Sequence, residues 1–262
     1  MLNEIVNNAP YFLLVAVRCF ALISTTPLLS TNSVSRVAKI ALAGCISFIV
    51  FPTVYDAPYE FAPYSLEYLL LLLAEGLIGV ITGFFITAIF AAFSSAGQFF
   101  SLQMGFSAAE AYDALAQVEN PLMGQFFNLC AMLVFLQIDG FKTLFLGGIF
   151  RSFEALSAYS LVLYRDNYLT FVLKSLTDLS FAALMIALPM MGTLFLINVT
   201  MGLLSKAAPQ MNLLSEGLPI TILVSFFLLT LLMPKLVNYF IMFMNSGFTD
   251  LENLFAKISG GI

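Results

Sequence analysis

Long apolar runs separated by short polar stretches dominate the sequence. A helix that crosses a bilayer needs about 20 mostly apolar residues. Charge-poor runs of that kind predict six helices, at residues 10–30, 38–55, 66–95, 121–141, 176–203 and 217–245. The third and fifth runs are the clearest, because no charged residue occurs from Gly76 to Ala109 or from Leu179 to Ser205. The pattern predicts an all-α integral membrane protein with about six long apolar helices.

The end of the chain departs from this simple pattern. Pro234 and Lys235 interrupt the sixth run, which is expected to kink or to end there. Residues 245–262 predict a short amphipathic helix. Its apolar face comprises Phe248, Leu251, Leu254, Phe255 and Ile258. No linker separates two domains, so the chain 1–262 is expected to form a single subunit. Its parts are three helices in 1–95, an irregular segment in 96–125, two helices in 121–203, a polar loop in 204–216, and the last helix and amphipathic end in 217–262.

The basic residues orient the first loops of the chain but not the later ones. Cytoplasmic loops are enriched in Lys and Arg. Arg36 and Lys39 therefore place loop 30–37 in the cytoplasm, and the acidic loop 52–65 falls outside. Strict alternation then puts the basic residues Arg151, Arg165 and Lys174 outside, against the same rule. Either one predicted span is wrong, or some helices do not cross the bilayer in the ordinary way.

Composition excludes a soluble fold and several classes of function. Hydrophobic residues make up 61% of the chain and charged residues 10%, whereas soluble domains have roughly 45–50% and 25%. The net charge of −5 argues against nucleic-acid binding, which needs a concentrated basic surface. Histidine is absent, which excludes histidine metal ligands and general bases. No enzyme motif occurs, so neither an enzymatic activity nor a cofactor or metal is expected.

The cysteines are scattered singly through apolar runs. Cys19, Cys45 and Cys130 form no CxxC motif and no paired spacing. We therefore expect buried small hydrophobic side chains, and neither a disulfide nor a metal site.

Glycines in the third run form a ladder along one helix face. Gly79 and Gly83 are one turn apart and Gly76 lies beside them. Without Cβ atoms, such a face lets another helix backbone approach closely. Two interpretations remain open at this stage, a packing groove within the chain and a groove for a neighbouring subunit.

Two charged residues lie inside apolar runs, Arg18 and Glu75. An intramembrane charge is costly unless it is paired or faces water. The two residues either form a buried ion pair or extend to the membrane interface. A proton relay through Glu75 is a third interpretation, although a relay needs several acids in register and no other predicted span has one at its centre.

The segment that follows the third run mixes glycines with bulky apolar residues. Residues 96–125 predict a helix that breaks at Met104-Gly105-Phe106-Ser107. Irregular backbone at membrane depth persists only where protein buries it or where it lines a cavity. Flexible Met and bulky Phe beside Gly favour a deformable plug, and an amphipathic interfacial loop is the alternative.

A polar loop joins the fifth and sixth runs. Lys206 lies at its start, Pro209 stops the helix, and Gln210 and Asn212 offer amide donors and acceptors beside an apolar surface. From these residues alone the segment is a polar loop that is equally suited to contact a partner.

The same loop carries a family resemblance. The run Lys206-Ala207-Ala208-Pro209-Gln210-Met211-Asn212, followed by Glu216-Gly217-Leu218-Pro219, resembles the signature of the flagellar biosynthesis protein FliR family. Weaker matches follow in the family's order along the whole chain: Arg18 and Pro27, Arg36 and Lys39, Glu75-Gly76 with Gly79 and Gly83, Gly97 with Gln103 and Gly105, and Ala187-Leu188-Pro189. The chain departs from the family where an Arg is common, since it has Ser205-Lys206, and where a small-residue turn appears as Asp139-Gly140-Phe141.

The resemblance implies a non-enzymatic subunit of the flagellar type III export gate. In that family the R subunit joins P and Q subunits in a helical ring at the flagellar basal body. The ring passes unfolded flagellar proteins across the bacterial inner membrane, powered by the proton-motive force and a separate ATPase complex. Much of the gate is lifted out of the bilayer plane, which would explain the conflict over topology.

The resemblance also assigns roles to two segments. Segment 99–110 matches the channel plug, with Phe99, Phe100, Met104, Gly105, Phe106 and Ser107 as gate residues. The loop with Lys206, Pro209, Gln210 and Asn212 matches the cytoplasmic rim, where the B subunit, the specificity switch, is expected to bind.

Three other functions remain as alternatives. The homologous subunit of a virulence injectisome gate would share most of these features. A secondary transporter would need a midplane site of broken helices and ionisable residues, which the glycine-rich third run fits loosely. A structural scaffold would differ only in that segment 99–110 seals nothing.

Overall fold

The computed structural model describes residues 8–30, 34–54, 65–105, 122–207 and 216–259. Every regular element in these ranges is helical, which confirms the all-α prediction. In chain order the elements are α1 (Ala9–Thr25), α2 (Pro27–Ser30), α3 (Arg36–Val54), α4 (Leu66–Met104), α5 (Leu122–Gln137), α6 (Gly140–Thr143), a π-helix (Leu144–Phe150), α7 (Arg151–Ala155), α8 (Ser160–Leu163), α9 (Arg165–Ala207) and α10 (Leu218–Ser259).

In the part of the chain that the structure describes, fewer helices than the six predicted runs are long and apolar enough to cross a bilayer. Among the described residues, α3, α4, α9 and α10 are long and apolar enough to cross a bilayer. The fourth run corresponds to α5, and the chain bends by 73° between α5 and the segment Gly140–Ala155. If these two helical segments together form a single broken span, they are the fifth. At 17 residues, α1 is at the lower limit of the length of a membrane span. Hydropathy located the helices, but it could not show that the fourth run bends.

The last helix also differs from its prediction. Pro234 lies inside α10, which continues to Ser259, so the end of the chain is not a separate short helix. A proline removes one backbone hydrogen bond, and a long helix can absorb that loss when its other bonds persist. The predicted apolar face was right, since Phe248, Leu251, Leu254, Phe255 and Ile258 are all buried.

The fifth helix begins earlier than hydropathy indicates. α9 starts at Arg165, eleven positions before the predicted start at 176. Its first turns carry the charged residues Arg165, Asp166 and Lys174, but Tyr168, Phe171 and Ser175 recur at helical spacing and are buried. A search for charge-poor runs misses an amphipathic beginning of this kind.

The chain divides into two compact units. The first comprises Met1–Ala88, Asp139–Leu176 and Asn245–Ile262, and the second comprises Ile89–Ile138 and Thr177–Met244. In the first unit, Leu14 packs with Tyr68, Leu71 and Ala158 in a buried cluster. In the second unit, the core is aromatic, and its Phe93 and Phe240 ring centroids lie 4.2 Å apart.

The outer faces of the long helices are apolar. Leu188 and Leu196 of α9 and Leu223 of α10 are each more than half exposed (61%, 65% and 71%). A soluble monomer rarely leaves contiguous apolar patches of this kind uncovered. These faces fit a lipid or subunit environment, as expected of an integral membrane protein.

Candidate functional site

The end of α4 forms the described part of the predicted plug. α4 ends at Met104, where the sequence predicted a break, and Gly105 follows with a φ of 86°. That left-handed conformation suits glycine because a Cβ would be strained there. Phe100 and Met104 are fully buried, and Phe99 is half-buried. Phe106 and Ser107 lie outside the described residues.

An aromatic cluster supports this helix end. The Phe100 and Phe127 rings lie parallel, at 3° and with centroids 6.3 Å apart. Phe127 also contacts Phe240, whose ring centroid lies 6.1 Å away. Phe240 in turn packs against Phe93. All four rings are fully buried. The C-terminal part of α4, up to Met104, is therefore closely packed against this aromatic cluster.

α4 and α5 approach each other at two glycines. A Cβ built on Gly97 would lie 2.7 Å from the Met123 carbonyl carbon and 2.8 Å from Gly124 Cα. A Cβ built on Gly124 would lie 3.1 Å from the Ser94 carbonyl oxygen. Gly97 stands out in the sequence, whereas the only signal of Gly124 is a small residue in an apolar run.

One polar side chain contacts the last turn of α4. Asn198 of α9 donates a hydrogen bond from Nδ2 to the Gln103 carbonyl oxygen at 3.4 Å, which is a long bond. The last carbonyls of a helix lack partners within the helix, so this contact partly satisfies one of them. Asn198 was not predicted as a site residue, although an asparagine inside a charge-free apolar run is a usable signal.

The glycine ladder of α4 is occupied by the chain's own first helix. A Cβ on Gly79 would overlap the Arg18 carbonyl oxygen and lie 2.9 Å from Ala21 Cβ. A Cβ on Gly83 would overlap the Thr25 side chain, whereas one on Gly76 would make only an ordinary contact, at 3.4 Å from Val17. The structure therefore supports a packing groove within the chain.

The two intramembrane charges meet in the first unit. Arg18 Nε donates to Glu75 Oε2, and both side chains are only 2% exposed. Arg18 also donates from Nη1 to the Ser152 carbonyl oxygen at 2.7 Å and from Nη2 to the Leu156 carbonyl oxygen at 2.9 Å. Its guanidinium carbon lies 4.1 Å from the centroid of the Phe153 ring. Of the two alternatives, the structure shows the ion pair, and it adds partners that the sequence did not indicate.

The polar loop is described only at its start. Lys206 is exposed in the last turn of α9, which ends at Ala207, two residues before Pro209. A helix commonly ends before the residue that precedes a proline. Pro209, Gln210 and Asn212 lie outside the described residues.

The cysteines and acidic residues form no metal site in the described ranges, where no group of three metal-binding side chains occurs. Cys19 and Cys130 are buried, as predicted, but Cys45 is exposed. Cys45 lies on the outer face of α3, where Ile49 is also exposed. Burial of all the cysteines was therefore wrong, because an apolar run in a membrane helix has an outward face too.

These features define an all-α integral membrane protein whose helix packing rests on close glycine contacts and one buried charge cluster. The chain belongs to the family of bacterial export proteins, family 1, whose sequence profile matches residues 9–247. It is thus an export protein and not an enzyme.

Relatives in several bacteria cover almost the whole chain. A protein of Bacillus subtilis (strain 168) is 33% identical over 238 residues, which are 88% of this chain and 89% of the relative. A protein of Escherichia coli (strain K12) is 32% identical over 255 residues, 92% of this chain and 89% of the relative. One of Borreliella burgdorferi is 29% identical over 243 residues, 90% of this chain and 87% of the relative. Each of these relatives is named flagellar biosynthetic protein FliR.

Proposed function

We propose that this chain is a subunit of the flagellar type III protein export gate in the bacterial inner membrane, at the flagellar basal body. It would assemble with P and Q subunits around a channel for unfolded flagellar proteins. The flagellar name of its full-length relatives supports this assignment over the virulence injectisome. The exposed apolar faces of α9 and α10 offer the surface that lipid and neighbouring subunits require.

The end of α4 is the proposed gate element. The observation that carries this proposal is a closely packed helix end that is followed by a glycine in the left-handed backbone conformation. Phe100 and Met104 are fully buried, Phe100 stacks on Phe127, and Gly105 turns the backbone out of the helix. A segment that starts from a closely packed helix end has a fixed anchor, as a gate element requires.

The polar loop is the proposed contact for a cytoplasmic partner. Lys206 is exposed at the end of α9, where a positive charge is also favourable because it lies near the helix carbonyls. With Pro209, Gln210 and Asn212 it would form the rim that the B subunit binds. An interface of this kind predicts that loop substitutions weaken B-subunit binding without altering the fold.

The transporter alternative lacks support in the described structure. A transporter would use an ionisable residue to bind its substrate or coupling ion. Glu75 instead accepts a hydrogen bond from Arg18 and is fully buried. The same burial argues against a proton relay through Glu75.

Deletion of Gln103–Ser107 in the assembled complex tests the gate assignment. Leakage of ions and small solutes across the membrane is measured alongside complex assembly. A second variant keeps the length of the segment and replaces only Gln103, Met104 and Phe106 with serine, because positions 105 and 107 are already glycine and serine. We expect both variants to assemble and to leak. An assembled deletion variant that does not leak would overturn the gate role, leaving this subunit a scaffold with the seal in its partners.

A further inference from the structure

Arg18 is a buried charge whose guanidinium donates hydrogen bonds from all three of its nitrogens. A guanidinium has five N–H donors on three nitrogens, arranged in a planar fork. All three nitrogens of Arg18 donate: Nε to Glu75, Nη1 to the Ser152 carbonyl and Nη2 to the Leu156 carbonyl. The side chain therefore joins α1 to α4 and, separately, to the end of α7.

The carbonyl contacts address a specific problem at the end of α7. This helix ends at Ala155, and Leu156 follows in an extended conformation, with φ −121° and ψ 117°. The last carbonyls of a helix have no partner in the helix, and here Leu156 is buried, with 3% exposed, so little water reaches it. The Ser152 carbonyl already accepts the Leu156 backbone N–H at 3.0 Å, and Arg18 Nη1 adds a second donor to it. At the Leu156 carbonyl, Arg18 Nη2 supplies the donor that the helix does not, and the guanidinium also places a positive charge at the helix C-terminus, where it is favourable.

The rest of the surroundings fit the same role. Ser152 Oγ donates to the Ile149 carbonyl at 2.7 Å and lies 3.4 Å from Arg18 Nη1. The Phe153 ring faces the guanidinium at 4.1 Å, a distance suited to a cation–π contact. Successive residues of α7 thus contact one side chain, although α7 has only five residues.

The geometry points to Arg18 as the positioning residue that holds α7 and Leu156 against α1 and α4, acting as the C-terminal cap of α7. Glu75 balances the charge so that the guanidinium can be buried. The role does not depend on the export gate, because it follows from contacts within the first unit alone. It requires arginine and not merely a positive charge, since the ammonium of a lysine is a compact group that lacks the planar fork.

Cysteine labelling of the full chain in its membrane complex tests this role. Leu156→Cys reports whether the end of α7 opens, and the native Cys19, which is fully buried, reports the packing of α1. Cys45 is replaced by serine because it is exposed. Labelling by N-ethylmaleimide is followed at each cysteine by peptide mass spectrometry in Arg18→Lys and Arg18→Met backgrounds. Arg151→Met is the matched control, because Arg151 begins α7 but forms an exposed ion pair with Glu252.

We expect Arg18→Lys to accelerate labelling at position 156 about tenfold over the parent while Cys19 stays protected, because the cap is lost but the charge opposite Glu75 remains. Arg18→Met should accelerate labelling at position 156 at least as much, and Arg151→Met should match the parent. If Arg18→Met does not fold, Arg18→Lys still decides the question. Unchanged labelling at position 156 in Arg18→Lys would overturn the proposal. Equal acceleration at Cys19 would overturn it too, because Arg18 would then hold the whole unit and not α7.

Discussion

Gly97→Ala tests how closely α4 and α5 pack. The added Cβ would lie 2.7 Å from the Met123 carbonyl carbon and 2.8 Å from Gly124 Cα. Carbon atoms in ordinary contact are roughly 3.5–4.0 Å apart, so the helices must separate locally by about 1 Å. All the obstructing atoms belong to the backbone, which no change of rotamer can move aside.

The expected change in stability is the difference of two effects. Overpacking costs about 1–3 kcal/mol, and a backbone obstruction favours the upper half of that range. Replacing a helical glycine by alanine recovers up to about 1 kcal/mol. Gly97→Ala should therefore lower the free energy of unfolding by about 1–2 kcal/mol. Gly192→Ala should raise it by about 0.5–1 kcal/mol, because no atom lies within 4 Å of that Cβ.

The measurement is unfolding of the detergent-solubilised chain by sodium dodecyl sulfate, followed by circular dichroism. The midpoints of Gly97→Ala and Gly192→Ala should move in opposite directions from that of the parent. If Gly97→Ala is as stable as Gly192→Ala, helix propensity outweighs packing and the proposed close contact is refuted. If both variants lose stability equally, the loss does not arise from the α4–α5 approach.

The other predictions use the same titration. Gly105→Ala should cost about 1 kcal/mol because its φ is 86°. Phe127→Ala should cost about 3–5 kcal/mol by opening a cavity in the aromatic cluster, whereas Leu129→Ala, 59% exposed, should change stability by less than about 0.5 kcal/mol. A small loss for Phe127→Ala would contradict the close packing. Arg151→Met removes an exposed ion pair with Glu252 and should change stability by less than about 0.5 kcal/mol, so a larger loss would contradict its surface role.

Much of the helical framework could be predicted from local sequence. The described parts of the six apolar runs are mainly helical, although the first run spans α1 and α2 and the fourth is interrupted between α5 and α6. The break after Met104 falls where Gly105 follows bulky apolar residues. The predictions failed where a helix bends or is amphipathic. Hydropathy does not register the left-handed Asp139, with its φ of 53°, between α5 and α6, nor the polar first turns of α9.

The candidate sites were only partly predictable. The glycine ladder was visible in the sequence. The sequence did not show that α1 packs against it. Arg18 and Glu75 stood out as isolated charges, yet the sequence left three interpretations open: an ion pair, extension to the membrane interface, and a proton relay through Glu75. Nothing in the sequence indicated that Ser152 and Leu156 accept hydrogen bonds, because their partners are backbone carbonyls, which every residue has.

Local sequence was enough to identify the helical class, the membrane environment and the family. Hydropathy, helical periodicity and sequence motifs all depend on residues that are close together along the chain. The tertiary structure alone decided which groups meet. Arg18 lies 57 positions from Glu75 and 138 from Leu156. Whether a buried charge is tolerated depends on the groups that the fold brings within hydrogen-bonding distance. That outcome follows from how the helices of the first unit pack, and no local stretch of sequence determines it.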